Sequence, residues 1–388
     1  MSNCALNFAF ANEEELFLIK EDTCGVLKKP TGSNRAYTVG PAEFPQEQEF
    51  LDDEQIRATA SRFSPIKGRK MPGEWSFNTY VKPSGTPGTA PEHDVLFECA
   101  LGTKTINVGT SVVYTLADQL DSFSLWIKKG HTVFALRGCT VQQPEFGIEG
   151  NAIAGISWSG NFMNRAYAGT VTATGTYSGG EATITLPGGA AQRYTEGMYI
   201  NVGADTNTGA GYRITGVNYT NDTLAITPVI AGNPGVTPQI TPWLPTASAE
   251  VGEPVHGKNG MVTIGGEDTI VLSAKVTLNN NIKYYSDEKN NQWTAERFGR
   301  PGKREVDGEV ELYFLKPGDA YFYRAEYQVS NALVIPAGNV SGYIMQISIP
   351  YAEYRTPTIS GDEEFVQNVP FIGRCSATLN DELAITFL

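Results

Sequence analysis

The stretch IVLSAKVTLNNNIKYY (residues 270–285), followed after a polar excursion by KREVDGEVELYFL (303–315), decides the fold class. In the first arm Leu272, Ala274, Val276 and Leu278 alternate with Ser273, Lys275, Thr277 and Asn279. In the second, Val306, Gly308, Val310, Leu312 and Phe314 alternate with Glu305, Asp307, Glu309, Glu311 and Tyr313. A period of two is that of a strand with one face on a core and the other in water. The wet face of the second arm carries four carboxylates in succession with no alternating lysine, and like charges at that spacing repel. Such a ladder is either a plain solvated face or a surface that keeps clear of something negatively charged passing close by.

Working outward, the chain of 388 residues is long enough for one large β domain or two smaller ones with a proper core. Lys plus Arg number 29 against 42 Asp plus Glu, a net charge of -13, which argues against non-specific binding to duplex DNA or anionic lipid. Cys4, Cys24, Cys99, Cys139 and Cys375 are an odd, scattered set without a CxxC. They read as free thiols in a reducing cytoplasm and not as a disulfide framework or zinc site. No apolar run approaches the roughly 20 residues of a membrane helix. The opening MSNCALNFAFANEEEL lacks a basic segment followed by a long apolar one, so no signal peptide is expected and the protein reads as soluble and cytosolically made.

In chain order, Leu16 to Ile19 reads as a first strand. Residues 30–72 read as irregular, with an acidic limb (Glu43, Glu47, Glu49, Asp52, Asp53, Glu54) and a basic limb (Arg57, Arg62, Lys67, Arg69, Lys70). A structureless stretch of that length tends to be functional. Two copies could dock head to tail through the opposite limbs, giving rings or filaments; equally, the loop could pair with itself. Trp75 to Val81 alternates as a strand, and Pro91 to Leu101 carries helix start signals with Gly102 as its stop. Val95, Leu96 and Cys99 are its apolar stripe, and His93 is placed on the surface. Residues 121–141 form a hairpin turning at Lys129-Gly130, and Phe146 and Ile148 lead into a second turn at Glu149-Gly150-Asn151.

From about 169 to 242 Thr and Gly dominate and short strands recur (183–186, 198–202, 212–217, 224–227), the pattern of a small all-β barrel or Ig-like domain inserted on the outer surface. The host would then be discontinuous, 1–168 and 243–388. Farther on, Asp319 is positioned to cap a short aromatic helix (319–327). Tyr343 to Ile349 is a strand expected to end at Pro350. The tail is expected to hold strands at Cys375–Leu379 and Leu383–Phe387.

Sites of chemistry are hard to find. His93, His131 and His256 lie in unrelated segments without metal-ligand spacing, and no HExxH, GxxxxGK[ST] or GxGxxG occurs. Gly155-Ile156-Ser157-Trp158-Ser159 falls one glycine short of a nucleophile elbow. Asp205 to Gly209 starts like a calcium loop but lacks the downstream glutamate, so a plain turn is the better reading. No catalytic, metal or cofactor-binding residue is assigned, and no cofactor is expected.

The order of elements resembles that of the major tail tube proteins of long-tailed (siphovirus-type) bacteriophages. The residues that carry the resemblance are the stretch from Arg137 to Phe162 (RGCTVQQPEFGIEGNAIAGISWSGNF), the LNNNI segment (278–282) and the GEVELYF strand (308–314). It extends over most of 10–165 and 255–388, leaving the module at 169–242 outside the pattern. The resemblance implies a mainly β, tail-tube-type sandwich or barrel with a flanking short α-helix. It also implies homo-hexameric rings stacked into a virion tail tube that conducts genomic DNA without sequence-specific binding. Partners would be further copies of itself and the tape-measure, tail-terminator and distal tail proteins, with no membrane. Assembly would take place in the bacterial host cytoplasm. It further implies that a long loop near the N-terminus, here about Arg35 to Lys70, bridges rings, and that the lumen is acidic, for which Glu305, Asp307, Glu309 and Glu311 are the candidates. Two readings from other classes stand beside it: a carbohydrate- or cell-binding β module, and a polysaccharide hydrolase.

Overall fold

The computed structural model describes residues 11–54, 64–257, 260–286, 294–315, 320–377 and 379–388. Arg57, Arg62, Cys4 and the Asp319 cap lie outside the described residues. The expectation of a mainly β fold holds: half of the chain is strand and 7% helix. Strand Thr132–Glu149 is its spine. The first half pairs with Phe123–Lys129 and Asn164–Ala168, and the second with Gly155–Phe162 and Val271–Asn279.

The change of partners occurs where the register shifts between Leu136 and Cys139. Gly138 sits there at φ +63°, and a Cβ would lie 2.5 Å from the Met163 sulfur, so both backbone conformation and space call for glycine. The carboxylate of Glu21, 6% exposed, accepts the Gly138 N–H at 2.9 Å, the Gly25 N–H at 2.8 Å and the hydroxyls of Ser122 and Ser124 at 2.7 and 2.8 Å. A buried carboxylate survives only with such satisfaction. Here it ties the end of the first strand, Glu15–Lys20, to the bulge.

The alternation at 270–315 produces the expected pair, Val271–Asn279 against Glu305–Tyr313. Their inward residues join Trp75, Phe77, Phe146, Trp158 and Phe371 in the main core. Helix Asp94–Leu101 lies on this apolar side, ended by Gly102 at φ +102° with its N–H on the Glu98 carbonyl. Phe97 is wedged among Tyr114, Phe146, Trp158 and Phe387 at 5.1 to 6.4 Å between ring centroids. Burying such a ring contributes on the order of 2–3 kcal/mol. Asn280 of the LNNNI segment is fully buried; its Nδ2 donates to the Ala100 and Val141 carbonyls at 2.9 and 3.0 Å, joining helix end to spine.

A separate six-stranded sheet is built between Val171 and Pro242. Thr183–Thr185, Tyr199–Val202, Tyr212–Asn218 and Thr223–Thr227 match the expected short strands, with Val171–Thr172 and Gln239–Pro242 in addition. Its apolar side shares a core with Phe17, Trp126, Val133 and Ala135, residues before the Gly138 bulge.

Three expectations about the elements are corrected. The described residues of 30–72 are not irregular throughout: Val39–Glu43 pairs with Gly73–Tyr80, and Gln48–Leu51 pairs antiparallel with Ile66–Lys70, which satisfies backbone groups that an open loop would leave to water. The strand at Met345 does not stop at Pro350 but runs to Tyr354, because a bulge opposite Asn331–Leu333 accommodates the missing donor. Its partner is the strand Ser330–Ala337. Cys375 to Leu379 is not a strand: Asp381 accepts the Ser376 N–H, Leu379 and Asn380 have positive φ, and the chain turns. The strand is instead Val366–Gly373, followed by the expected final one at Ala384–Phe387. The aromatic helix is present as Ala320–Glu326.

Candidate functional site

The four carboxylates of the ladder stand on one outward face with the wet residues of neighbouring strands. Across from them lie Asn279, Thr277, Lys275 and Ser273, and next Glu145, Gly147 and Glu149 of the spine. Farther along the same face come Ser157 and Ser159, then Asn78 and Ser76. On the other flank, Asp307, Glu309 and Glu311 meet Ile372, Pro370 and Asn368. Along these strands, Gly73–Tyr80, Gly155–Phe162, the second half of the spine, Val271–Asn279, Glu305–Tyr313 and Val366–Gly373, the sole cation is Lys275. The face is therefore predominantly acidic, and it is backed by aromatic core.

Its charges are partly managed. Lys275 Nζ lies 2.9 Å from Glu145, and that bond, with the nearby Glu309 carboxylate, holds the lysine pKa above its usual value. Asn368 donates to Glu309 at 2.9 Å and Ser273 to Glu311 at 3.0 Å. Among the described residues Glu305 and Asp307 form no ion pair. Sequence reasoning found Glu305, Asp307, Glu309 and Glu311 but missed Glu145 and Glu149. The signal was present: Gln143, Glu145, Gly147 and Glu149 alternate with apolar residues in the stretch read only as leading to a turn.

Of the long loop's candidate residues, Glu49, Lys67, Arg69 and Lys70 fall in a two-stranded ribbon. Lys67 and Lys70 lie opposite Phe50 and Gln48, and Arg69 Nε is 3.7 Å from Glu49 across it. Part of the acidic limb thus lies beside part of the basic limb within one chain, with Glu49–Arg69 the acid–base pair between them. Glu43 belongs to the strand at its base, while Glu47, Asp52, Asp53 and Glu54 flank the ribbon strand Gln48–Leu51. Phe50, Leu51 and Ile66 remain 57%, 52% and 64% exposed on it. An isolated hairpin with so much apolar surface in water is marginal by itself.

His93 is not on the surface. It is 2% exposed at the helix start, with Nε2 3.3 Å from the Tyr37 carbonyl, and burial, reinforced by Lys82, lowers its pKa to about 4. Nothing local in the sequence signals this, because Tyr37 and Lys82 reach it from distant segments. The unfolded chain takes up a proton near pH 6.5 and the folded one only near 4, so stability should be constant above about 6.5 and fall with acid between those values. The total loss is roughly 3 kcal/mol at about 1.4 kcal/mol per pH unit. Urea unfolding at pH 7.5 and 4.5 checks it: His93→Gln should flatten this part of the pH dependence, and an unchanged slope would contradict it.

The near-motifs are structural. Ser157 and Ser159 lie within a continuous strand, with Ser159 donating to the Gln143 carbonyl. The Asp205 carboxylate accepts the Asn207 and Gly232 N–H groups at 3.0 and 2.7 Å, the arrangement of a turn. No group of three metal-ligating side chains occurs among the described residues, and Cys24, Cys99, Cys139 and Cys375 are free thiols. Compared with models of protein families the chain matches none, and a search of curated proteins returns no match.

Proposed function

We propose that this chain is a structural tail-tube subunit: copies assemble into hexameric rings that stack into the conduit through which phage DNA leaves the virion. The observation that carries the reading is the broad acidic face with its single lysine, which a solvated surface of a -13 protein does not require to be so uniform. Facing a bore, it would repel the phosphate backbone and let duplex slide without adhering. The ribbon supports the same reading, since its apolar residues would be covered by another copy. Residues 1–168 and 243–388 would form the tube-building part. Residues 169–242 would be an inserted module on the outer side, seated on the half of the spine that precedes the bulge.

The test is electron microscopy of the purified protein, which should show rings or tubes about 100 Å wide, the width from six domains of ordinary compact radius. For the ribbon, replacing Phe50, Leu51 and Ile66 together by Ser should leave the unfolding temperature within about 2 °C, since exposed positions change stability little. Stacking should fall at least tenfold, so that rings replace tubes. Tubes of unchanged length distribution would remove the ribbon from the contact.

A further inference from the structure

The end of the sheet from which the ribbon rises carries cations that no carboxylate among the described residues neutralises. Lys70 Nζ lies 3.4 Å from Asn164 Oδ1, and Asn164 stands opposite Arg137 in the sheet, with Arg165 next to it. Arg137 reaches the Gly25 carbonyl at 3.3 Å, and the Arg165 guanidinium lies 6.0 and 5.8 Å from the rings of Phe44 and Phe134. Among the described residues no carboxylate pairs with Lys70, Arg137 or Arg165. Glu49 of the ribbon is taken by Arg69, and Glu14 by Lys129 and the Ala42 N–H. Burial, together with Arg165 and Arg137, holds the Lys70 pKa below its usual value, as expected of a cation crowded by its own kind.

The complementary surface is at the opposite end. Beyond the Tyr313–Val366 pair the chain turns through Asp362-Glu363-Glu364-Phe365, every residue exposed and Phe365 at 61%. No cation pairs with these carboxylates among the described residues. Thr140 to Glu149 alone separates the two ends by roughly 30 Å at about 3.3 Å per residue, and several strands lie between them sideways. The two surfaces therefore cannot meet within one subunit.

We propose that the Asp362–Phe365 turn of one copy docks on the Lys70–Arg137–Arg165 cluster of the next, with its carboxylates on the cations and Phe365 against Phe44 and Phe134. A contact between unlike surfaces on opposite ends is heterologous and adds copies in sequence. The proposal rests on the tail-tube reading and names a contact that the reading leaves open, distinct from the ribbon.

Charge exchange tests it. D362K/E363K/E364K alone and K70E/R165E alone should each weaken self-association of the full chain at least tenfold in sedimentation velocity at about 100 mM salt. Combining the two sets should restore association to within about threefold of wild type. Circular dichroism melts check that each variant folds; if K70E/R165E fails, K70Q/R165Q replaces it, with a smaller loss expected. Wild-type assembly should also weaken as salt is raised, since exposed ion pairs are screened. Single variants that assemble like wild type, or a combined variant that does not recover, would overturn the contact and leave the tube reading standing. A wild-type chain that stays monomeric at every concentration would overturn both.

Discussion

Replacing Glu21 by Ala should destabilise the protein by about 4 kcal/mol, the largest effect expected of any single side chain outside the aromatic core. Two of its donors, the Gly25 and Gly138 N–H groups, are backbone and cannot turn to another acceptor, whereas Ser122 and Ser124 can reorient. Each buried donor left without a partner costs on the order of 1–3 kcal/mol. Glu21→Gln should recover only part of the loss, because its amide group presents hydrogens to a site made entirely of donors. The measurement is urea unfolding of both variants. A loss under about 1 kcal/mol for the alanine variant would mean that the bulge is held by something else. The consequence reaches the acidic face, because the bulge at Gly138 is where the spine leaves one sheet and enters the other.

The second large effect concerns that face. Glu305, Asp307, Glu309 and Glu311 changed together to Lys alter the charge of each subunit by eight, from four negative to four positive. Inward packing is untouched, since Val306, Val310 and Leu312 supply it, so assembly should persist. Duplex DNA should now be retained: a surface that neutralises 6–10 phosphates shows a salt dependence of roughly 10³–10⁵ in affinity between 50 and 200 mM. Co-sedimentation of DNA with assembled variant at about 50 mM salt, absent for wild type and lost at about 200 mM, is the expected result. The tail-tube proposal further predicts that DNA ejection through tubes of the variant slows or stalls. Normal ejection would show that these side chains do not face the bore.

What could be read in advance, and what could not, divides along a physical line. Alternation from Leu272 to Phe314 is a property of single strands, so the pair and its two faces were legible. Gly102 marked the helix end because a left-handed cap is a local requirement. The neighbours of a strand are not local. Lys275 was visible, but its place opposite Glu309 and its bond to Glu145 depend on which strands pair. The ribbon was hidden for the same reason: neither limb alternates cleanly, and only the pairing of Gln48–Leu51 with Ile66–Lys70 turns a charged loop into an arm. His93 and Asn280 are polar residues whose partners, Tyr37, Ala100 and Val141, are distant in sequence, so their burial left no trace around them. The rule that proline stops a strand holds for regular pairing, and at Pro350 a bulge sets it aside.

Negative-stain electron microscopy of the purified full-length chain, taken over a range of concentrations, tests the central claim most directly. A self-assembling subunit with an acidic bore should appear as rings with a central hole and, at higher concentration, as stacked tubes. Particles that remain single and compact at the highest concentration reached would contradict it.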